Sequence, residues 1–96
     1  MNAITKEDLY YTNYFWTVLS GDNPKITGEP DSTLLNRQEG YEVLYFINKF
    51  AEINELKLKK SVTKVERMIQ EEVPGDIRSQ RKIMEWIERN WEISKF

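Results

Sequence analysis

The chain contains neither cysteine nor histidine among its 96 residues, and this double absence limits how the fold can be stabilised. Disulfide bonds are impossible, and structural zinc sites are excluded because thiolate and imidazole are their usual ligands. The chain must therefore bury one apolar core without cross-links. With 40% hydrophobic and 31% charged residues it has the composition of a soluble globular protein, and we predict a single helical domain over residues 1–96.

The absence of histidine and cysteine also limits the reactions that this chain could catalyse. Histidine is the usual proton carrier near neutral pH, and cysteine supplies the usual thiolate nucleophile. The carboxylates, lysines, tyrosines and hydroxyls that remain show no catalytic or calcium-binding spacing, and there is no glycine-rich phosphate loop. We therefore predict a protein that is not an enzyme and that needs no cofactor and no metal.

Apolar periodicity predicts an all-α bundle of four helices, the first over residues 5–20. Thr5 and Asp8 have the spacing of a capping box at its start. Aromatic and aliphatic side chains then share one helical face, namely Tyr11, Tyr14, Phe15, Val18 and Leu19. Two glycines and two prolines within residues 21–32 indicate a loop after this helix.

The remaining predicted helices cover residues 36–56, 62–73 and 77–94. The first of these begins either at Asp31 and Ser32 or at a second capping box, and it is predicted to be the central helix of the bundle. Its apolar spacing places Phe46, Ile47 and Phe50 in the core. The last two helices are separated by Pro74, Gly75 and Asp76, which end one helix and cap the next.

Charge is distributed unevenly along the chain. Residues 1–56 carry four Lys and Arg against nine Asp and Glu, a net charge of −5, whereas residues 57–96 carry ten against seven, a net charge of +3. This asymmetry indicates a basic nucleic-acid face, complementary surfaces within a fold or dimer, or simply two solvated surfaces. The first eight residues lack the basic and apolar regions of a signal peptide, and no apolar stretch is long enough to cross a bilayer, so we expect a cytoplasmic protein without membrane contact.

Excess aromatic residues favour a protein-binding function. The predicted first helix carries more aromatic side chains than one face can bury, and Leu9 and Trp16 lie opposite its main apolar face. Tyr41 and Tyr45 are four residues apart on the polar side of the central helix. We predict that these four residues bind a protein partner or a second copy in a homodimer, and that Trp16 is partly exposed in the monomer.

Nucleic-acid binding is the alternative. The last two predicted helices resemble a helix-turn-helix pair in length and turn, so the start of the final helix would enter a DNA groove while preceding lysines contact phosphates. The candidate residues are Lys57, Lys59, Lys60, Lys64, Arg78, Gln80, Arg81 and Lys82. The net charge of −2 and the pairing of opposite charges along the outer face of the final helix argue against this function.

Overall fold

The computed structural model describes residues 4–16 and 34–96. These residues form a 3-10 turn, Lys6–Asp8, and three helices: α1 (Gly40–Ile53), α2 (Lys59–Glu71) and α3 (Gln80–Asn90). The all-α class is confirmed for this part of the chain, which shows isolated bridges but no strand. The count of four helices is not confirmed, since three are found among the residues that the structure describes. The predicted loop, the last residues of the predicted first helix and the start at Asp31 and Ser32 lie outside the described residues.

The predicted helix over residues 5–20 is wrong for residues 9–16, which are not helical. The capping contact at its start does form, because the Thr5 N–H donates to Asp8 Oδ2 at 2.9 Å. The turn nevertheless ends at Asp8, and Leu9 is extended. This stretch is rich in aromatic residues, which lose rotamer freedom in a helix and fit extended backbone well.

Long-range backbone partners replace the helical hydrogen bonds of this segment. The Phe15 N–H donates to the carbonyl of Gln38 and the Gly40 N–H donates to the carbonyl of Phe15, both at 2.8 Å. Leu34 forms a second bridge with Ser79. The N-terminal segment, residues 4–16, thus runs across the helices as an irregular extended chain, and Ile4, Tyr10, Tyr11 and Phe15 donate their backbone N–H groups to residues far away in the sequence.

Helix α1 is shorter than its predicted range of 36–56. Glu55 adopts a left-handed conformation with φ of 54° directly after the helix. The Leu56 N–H donates to the carbonyl of Ala51 at 2.9 Å, which closes the helix in a Schellman motif. This position usually holds glycine, and the glutamate here hides the end of the helix from sequence analysis.

The other two helices also differ at their ends from the predicted ranges of 62–73 and 77–94. Helix α2 begins after Leu58, which provides no side-chain cap. Helix α3 begins after Ser79, whose hydroxyl accepts a hydrogen bond from the Lys82 N–H at 3.2 Å. Ser79, and not the predicted Asp76, is therefore its N-cap residue.

The core lies between the three helices, and α2 packs against both α1 and α3. Helix α1 packs mainly against α2 and the 3-10 turn, so α2 holds the central position that was predicted for α1. The predicted core positions Phe46, Ile47 and Phe50 are buried, as expected. The remaining buried apolar residues are Leu35, Val43, Ala51, Val62, Val65, Met68, Ile69, Val73, Ile83, Met84 and Ile87.

Replacing Phe50 by alanine should lower the free energy of unfolding by about 3–5 kcal/mol. The ring is buried and stacks on Phe46 and Trp91, with centroids 6.3 and 6.1 Å away, so truncation leaves a cavity bordered by both. Urea denaturation followed by circular dichroism measures the loss. An unchanged transition midpoint would contradict this packing of α1.

A close approach between Gly40 and Trp16 joins the start of α1 to the N-terminal segment. A Cβ atom added at Gly40 would lie 2.5 Å from carbon atoms of the Trp16 ring. The same indole meets the Tyr41 ring edge to face, with the centroids 4.9 Å apart. Gly40 is therefore needed for this contact, although glycine is unfavourable inside a helix.

Gly40→Ala should lower the free energy of unfolding by about 1–3 kcal/mol, because the methyl group displaces the indole. In a Trp16→Ala background the same change should be neutral or stabilising by up to about 1 kcal/mol, because only the helix propensity of alanine then remains. A double-mutant cycle by urea denaturation measures both. Equal effects of Gly40→Ala in the two backgrounds would show that the indole does not require this glycine.

Candidate functional site

Helix α2 holds the N-terminal segment through a buried carboxylate. Glu66 is 1% exposed. Its Oε1 accepts a hydrogen bond from the Tyr10 N–H at 2.7 Å, and its Oε2 accepts from the Tyr11 N–H at 3.2 Å and from the Tyr14 hydroxyl at 2.7 Å. Burial, with the hydrogen bond to Glu66, raises the pKa of Tyr14. Because a buried carboxylate without donors is costly, these three donors fix the segment on α2.

The guanidinium group of Arg37 binds carbonyl oxygens at the C-terminal end of α2 and in the residues that follow it. Arg37 Nη1 donates to the carbonyls of Ile69 and Val73 at 3.0 and 2.8 Å. Its Nη2 donates to the carbonyls of Pro74 and Ile77 at 2.8 and 2.6 Å. The last carbonyls of a helix have no partner within the helix, so Arg37 satisfies the carbonyl of Ile69 and also binds three carbonyls of the connection that follows α2. The start of α3 is thereby held beside the end of α2.

The C-terminal residues 91–96 lie along α2 as well. Glu72 accepts hydrogen bonds from the Ser94 hydroxyl at 2.6 Å and from the Lys95 N–H at 3.2 Å. Lys64 Nζ donates to the carbonyl of Trp91 at 2.7 Å and lies 4.3 Å from the centroid of its ring. Lys64 on α2 and Glu72, the residue directly after α2, therefore position the residues that follow α3.

An open cleft of about 600 Å³ lies on this part of α2. Its lining residues, which we call the basic cleft, are Lys59, Lys60, Thr63, Lys64, Arg67, Lys95 and Phe96. Five of the seven are cationic and none is acidic. The first turn of α2 also contains no acid, so the positive end of the helix dipole adds to the same potential. Cations gathered on one concave surface raise the local concentration of anions.

Two aromatic rings hold the central cation of the cleft. The guanidinium carbon of Arg67 lies 4.6 Å from the ring centroid of Tyr10 and 4.1 Å from that of Phe96. Planar guanidinium groups stack well on aromatic rings. Arg67 is therefore ordered before any ligand arrives, and much of the conformational entropy that a mobile side chain would lose on binding is already lost.

Two ion pairs border the basic cleft. Lys59 Nζ lies 3.3 Å from Asp8 Oδ1, and Arg67 Nε lies 3.4 Å from Glu71 Oε2. The Thr5 N–H, followed by Lys59, lowers the pKa of Asp8, which is therefore ionised at neutral pH. The side chain of Lys59 is 69% exposed. Exposed pairs of this kind contribute little stability, so an incoming anion displaces them at small cost.

The structure separates the predicted nucleic-acid residues into two groups. Lys59, Lys60 and Lys64 line the basic cleft, and the exposed Lys57 lies two residues before the start of α2. At the start of α3, Arg78 lines a different recess, with residues 34–38, Glu42 and Gly75. Arg81 and Lys82 are exposed and do not line the cleft, whereas Gln80 is 1% exposed and therefore unsuited to reading a base edge.

The connection between α2 and α3 also differs from that of a helix-turn-helix. The chain from 72 to 79 gives eight connecting residues, whereas the motif uses a turn of about three or four. The predicted resemblance was based on the lengths of the two helices and on a short turn at Pro74, Gly75 and Asp76. Residues 77–79 were counted in the helix but belong to the connection.

Of the four predicted protein-binding residues, Leu9 and Trp16 do not share a helical face, because residues 9–16 are not helical. Leu9 is partly buried against the core. Trp16 and Tyr41 are brought together by their edge-to-face contact, and both are partly exposed, as is Tyr45. The partial exposure expected of Trp16 is thus observed, and its burial by a partner stays a prediction.

Sequence analysis missed four residues that form or border the cleft, namely Tyr10, Arg67, Lys95 and Phe96. Arg67 follows Lys60 by seven residues and Lys64 by three, so helical spacing alone could have placed it beside them. No local signal places Tyr10, Lys95 or Phe96 there, because Glu66 and Glu72 position their backbones across the fold.

No family model, curated protein or solved structure matches this chain. Within residues 4–16 and 34–96, acidic side chains form no group of three or more suited to holding a metal ion. In the same part of the chain, no helix combines the length and apolar character that crossing a membrane requires.

The hydroxyl of Tyr11 donates to the Glu71 carboxylate, and this contact should make stability depend on pH at both extremes. Burial and the bond to Glu71 raise the pKa of Tyr11 from 10.0 to about 12. A raised pKa contributes stability below pH 10 that is lost as the pH rises through about 12. The stability difference between wild type and Tyr11→Phe should therefore shrink over this interval. A constant difference in urea denaturation would contradict the contact.

The acid side of the same contact has the opposite sign. Glu71 accepts a hydrogen bond from Tyr11, and this bond is the main cause that lowers the pKa of Glu71 below the ordinary value of 4.5. Arg67 lowers this pKa further. The contribution of Glu71 is therefore present above pH 4.5 and is lost as the pH falls. The stability difference between wild type and Glu71→Gln should disappear in acid, and a difference that persists there would contradict this assignment.

Proposed function

We propose that this protein is a non-catalytic nucleic-acid-binding protein whose basic cleft contacts the phosphate backbone. One observation supports the proposal above the others: five cationic side chains line a single cleft without an acidic residue among them. Contacts from Lys and Arg to phosphate oxygens supply most of the sequence-independent affinity of nucleic-acid-binding proteins. The cleft replaces the start of α3 as the proposed binding surface.

The acidic net charge of −2 is weaker evidence against nucleic-acid binding once the positions of the charged residues in the fold are known. Charges on a protein surface are screened over about 8–10 Å at physiological ionic strength, so a ligand in the cleft responds to the nearest groups. Those groups are mostly cations, whereas many acids of residues 1–56 lie elsewhere along the chain. A local basic surface on an acidic chain is therefore sufficient for binding.

The side chains of the cleft differ in how freely they can reach a phosphate. Lys60 and Lys95 are exposed, and no ion pair to either is seen among the described residues, although Lys95 Nζ lies 5.2 Å from the centroid of the Phe96 ring. To bind a phosphate, Lys59 must leave the carboxylate of Asp8 and Arg67 must leave that of Glu71. Lys64 already donates to the carbonyl of Trp91 and is less available. About four phosphate contacts follow, and the affinity for a single strand should fall with a logarithmic salt slope of about −3.

Charge reversal provides the decisive comparison. The double variant Lys60→Glu, Lys95→Glu should weaken binding to a labelled oligothymidylate by at least about tenfold at low salt, because two phosphate contacts become repulsive. The matched control Arg81→Glu, Lys82→Glu makes the same change in net charge on the exposed face of α3 and should weaken it far less. Fluorescence anisotropy across about 50–200 mM salt measures both affinity and slope.

The outcomes separate the alternatives. Equal losses in the two double variants would indicate an effect of total charge only, and a larger loss in the α3 variant would restore the helix-turn-helix hypothesis. Failure of the wild-type protein to bind any oligonucleotide at low salt would reject a nucleic-acid function altogether. Circular dichroism confirms that each variant is folded.

Protein binding through the aromatic residues remains the second proposal. The contact between Trp16 and Tyr41 favours it, because two partly exposed rings side by side form an amphipathic surface suited to a partner or a second copy. It ranks below the cleft because Trp16 and Leu9 already pack against their own chain. Sedimentation at several concentrations tests self-association, which Trp16→Ala should abolish if this surface forms the dimer.

A further inference from the structure

The aromatic rings beside the basic cleft indicate which form of nucleic acid it accepts. Tyr10 is 54% exposed although Arg67 covers one side of its ring. Phe96 lines the cleft but is partly buried against the core, and its ring has Arg67 on one side and Lys95 Nζ 5.2 Å from its centroid. Two rings and one guanidinium thus form a stacked group, the aromatic platform, among the cations of the cleft.

This platform has a feature that phosphate contacts alone do not require. Lysines on a helix would bind a polyanion without any aromatic ring nearby. An exposed tyrosine ring also makes fewer contacts with apolar neighbours than a buried one. Here the backbone of Tyr10 is fixed by Glu66 and its ring is fixed by Arg67, so the exposed part of the ring is held in place. A rigid exposed ring beside a cationic groove is the arrangement by which proteins stack unpaired bases.

We propose that the basic cleft selects single-stranded nucleic acid by stacking an unpaired base on the exposed ring of Tyr10, an inference that depends on the proposed phosphate binding. In a duplex the faces of the bases are already stacked on one another, so only the cations can engage it. In a single strand a base is free to turn toward the Tyr10 ring while the phosphates meet Lys59, Lys60 and Lys95. Selection therefore comes from this ring, and attraction comes from the cations.

Stacking on an aromatic side chain strengthens binding by about 5- to 150-fold per base. It depends weakly on base identity because every base has a π-face, so little sequence preference is expected. It also depends weakly on salt. Loss of a ring should therefore lower affinity without changing the salt slope, whereas loss of a lysine changes both.

The test compares three ligands of equal length and equal phosphate number: an oligothymidylate, an abasic strand with the same backbone, and a duplex. Wild-type protein should bind the oligothymidylate at least about fivefold more tightly than the abasic strand. Tyr10→Ala should remove most of this difference while its affinity for the abasic strand changes less than about twofold. Tyr10→Phe, which keeps the ring, is the matched control and should bind like wild type.

Each result has one consequence. Equal binding of the oligothymidylate and the abasic strand by wild-type protein would overturn base stacking but leave the phosphate-binding function in place. Tighter binding of the duplex would overturn single-strand selection. Absence of binding to all three ligands would reject both proposals. A parallel loss for the oligothymidylate and the abasic strand in Tyr10→Ala would mean that the ring only orders Arg67, which also overturns the inference.

Discussion

The buried carboxylate of Glu66 is the interaction on which the arrangement of the molecule depends. It lies on α2, and its donors all belong to the N-terminal segment, so one side chain converts a potential first helix into a chain lying across the bundle. Removing the donors would leave a charge in the interior, and removing the acceptor would leave two backbone amides unsatisfied. The basic cleft also depends on Glu66, because the N-terminal segment that Glu66 holds places Tyr10 against Arg67 and Asp8 beside Lys59.

Much of the helical core is predictable from sequence because its signals are local. Apolar spacing located all three observed helices within a few residues and placed Phe46, Ile47 and Phe50 inside. The first predicted helix failed for the same reason, since a capping box and a run of aromatics describe only neighbours along the chain. The competing partner, Glu66, is 55 residues away from Tyr11. Propensity is a weak prior, and a satisfied buried charge overrides it.

The candidate site shows the same division. Lys59 and Lys60 lie shortly before the predicted helix start at residue 62 and Lys64 lies within it, so their closeness could be predicted although the observed helix includes all three. Joining them to Arg78, Arg81 and Lys82 was not justified, because the eight-residue connection and the four carbonyls bound by Arg37 hold the start of α3 at the other end of α2. Lys95 and Phe96 replace them, brought in by Glu72, which sequence analysis treats as an ordinary surface acid.

The stacking of Tyr10, Arg67 and Phe96 has a consequence for the order of folding during synthesis. The three residues span 86 positions, so their contact closes a loop containing almost the whole chain. On the ribosome the N-terminal segment emerges first, yet its partner Glu66 follows only after α1 and most of α2 have been made. Contacts among the helices are closer in sequence and form at smaller entropic cost. We therefore expect the helices to assemble first and the N-terminal segment to dock late, so that the cleft is completed only after Phe96 has been made.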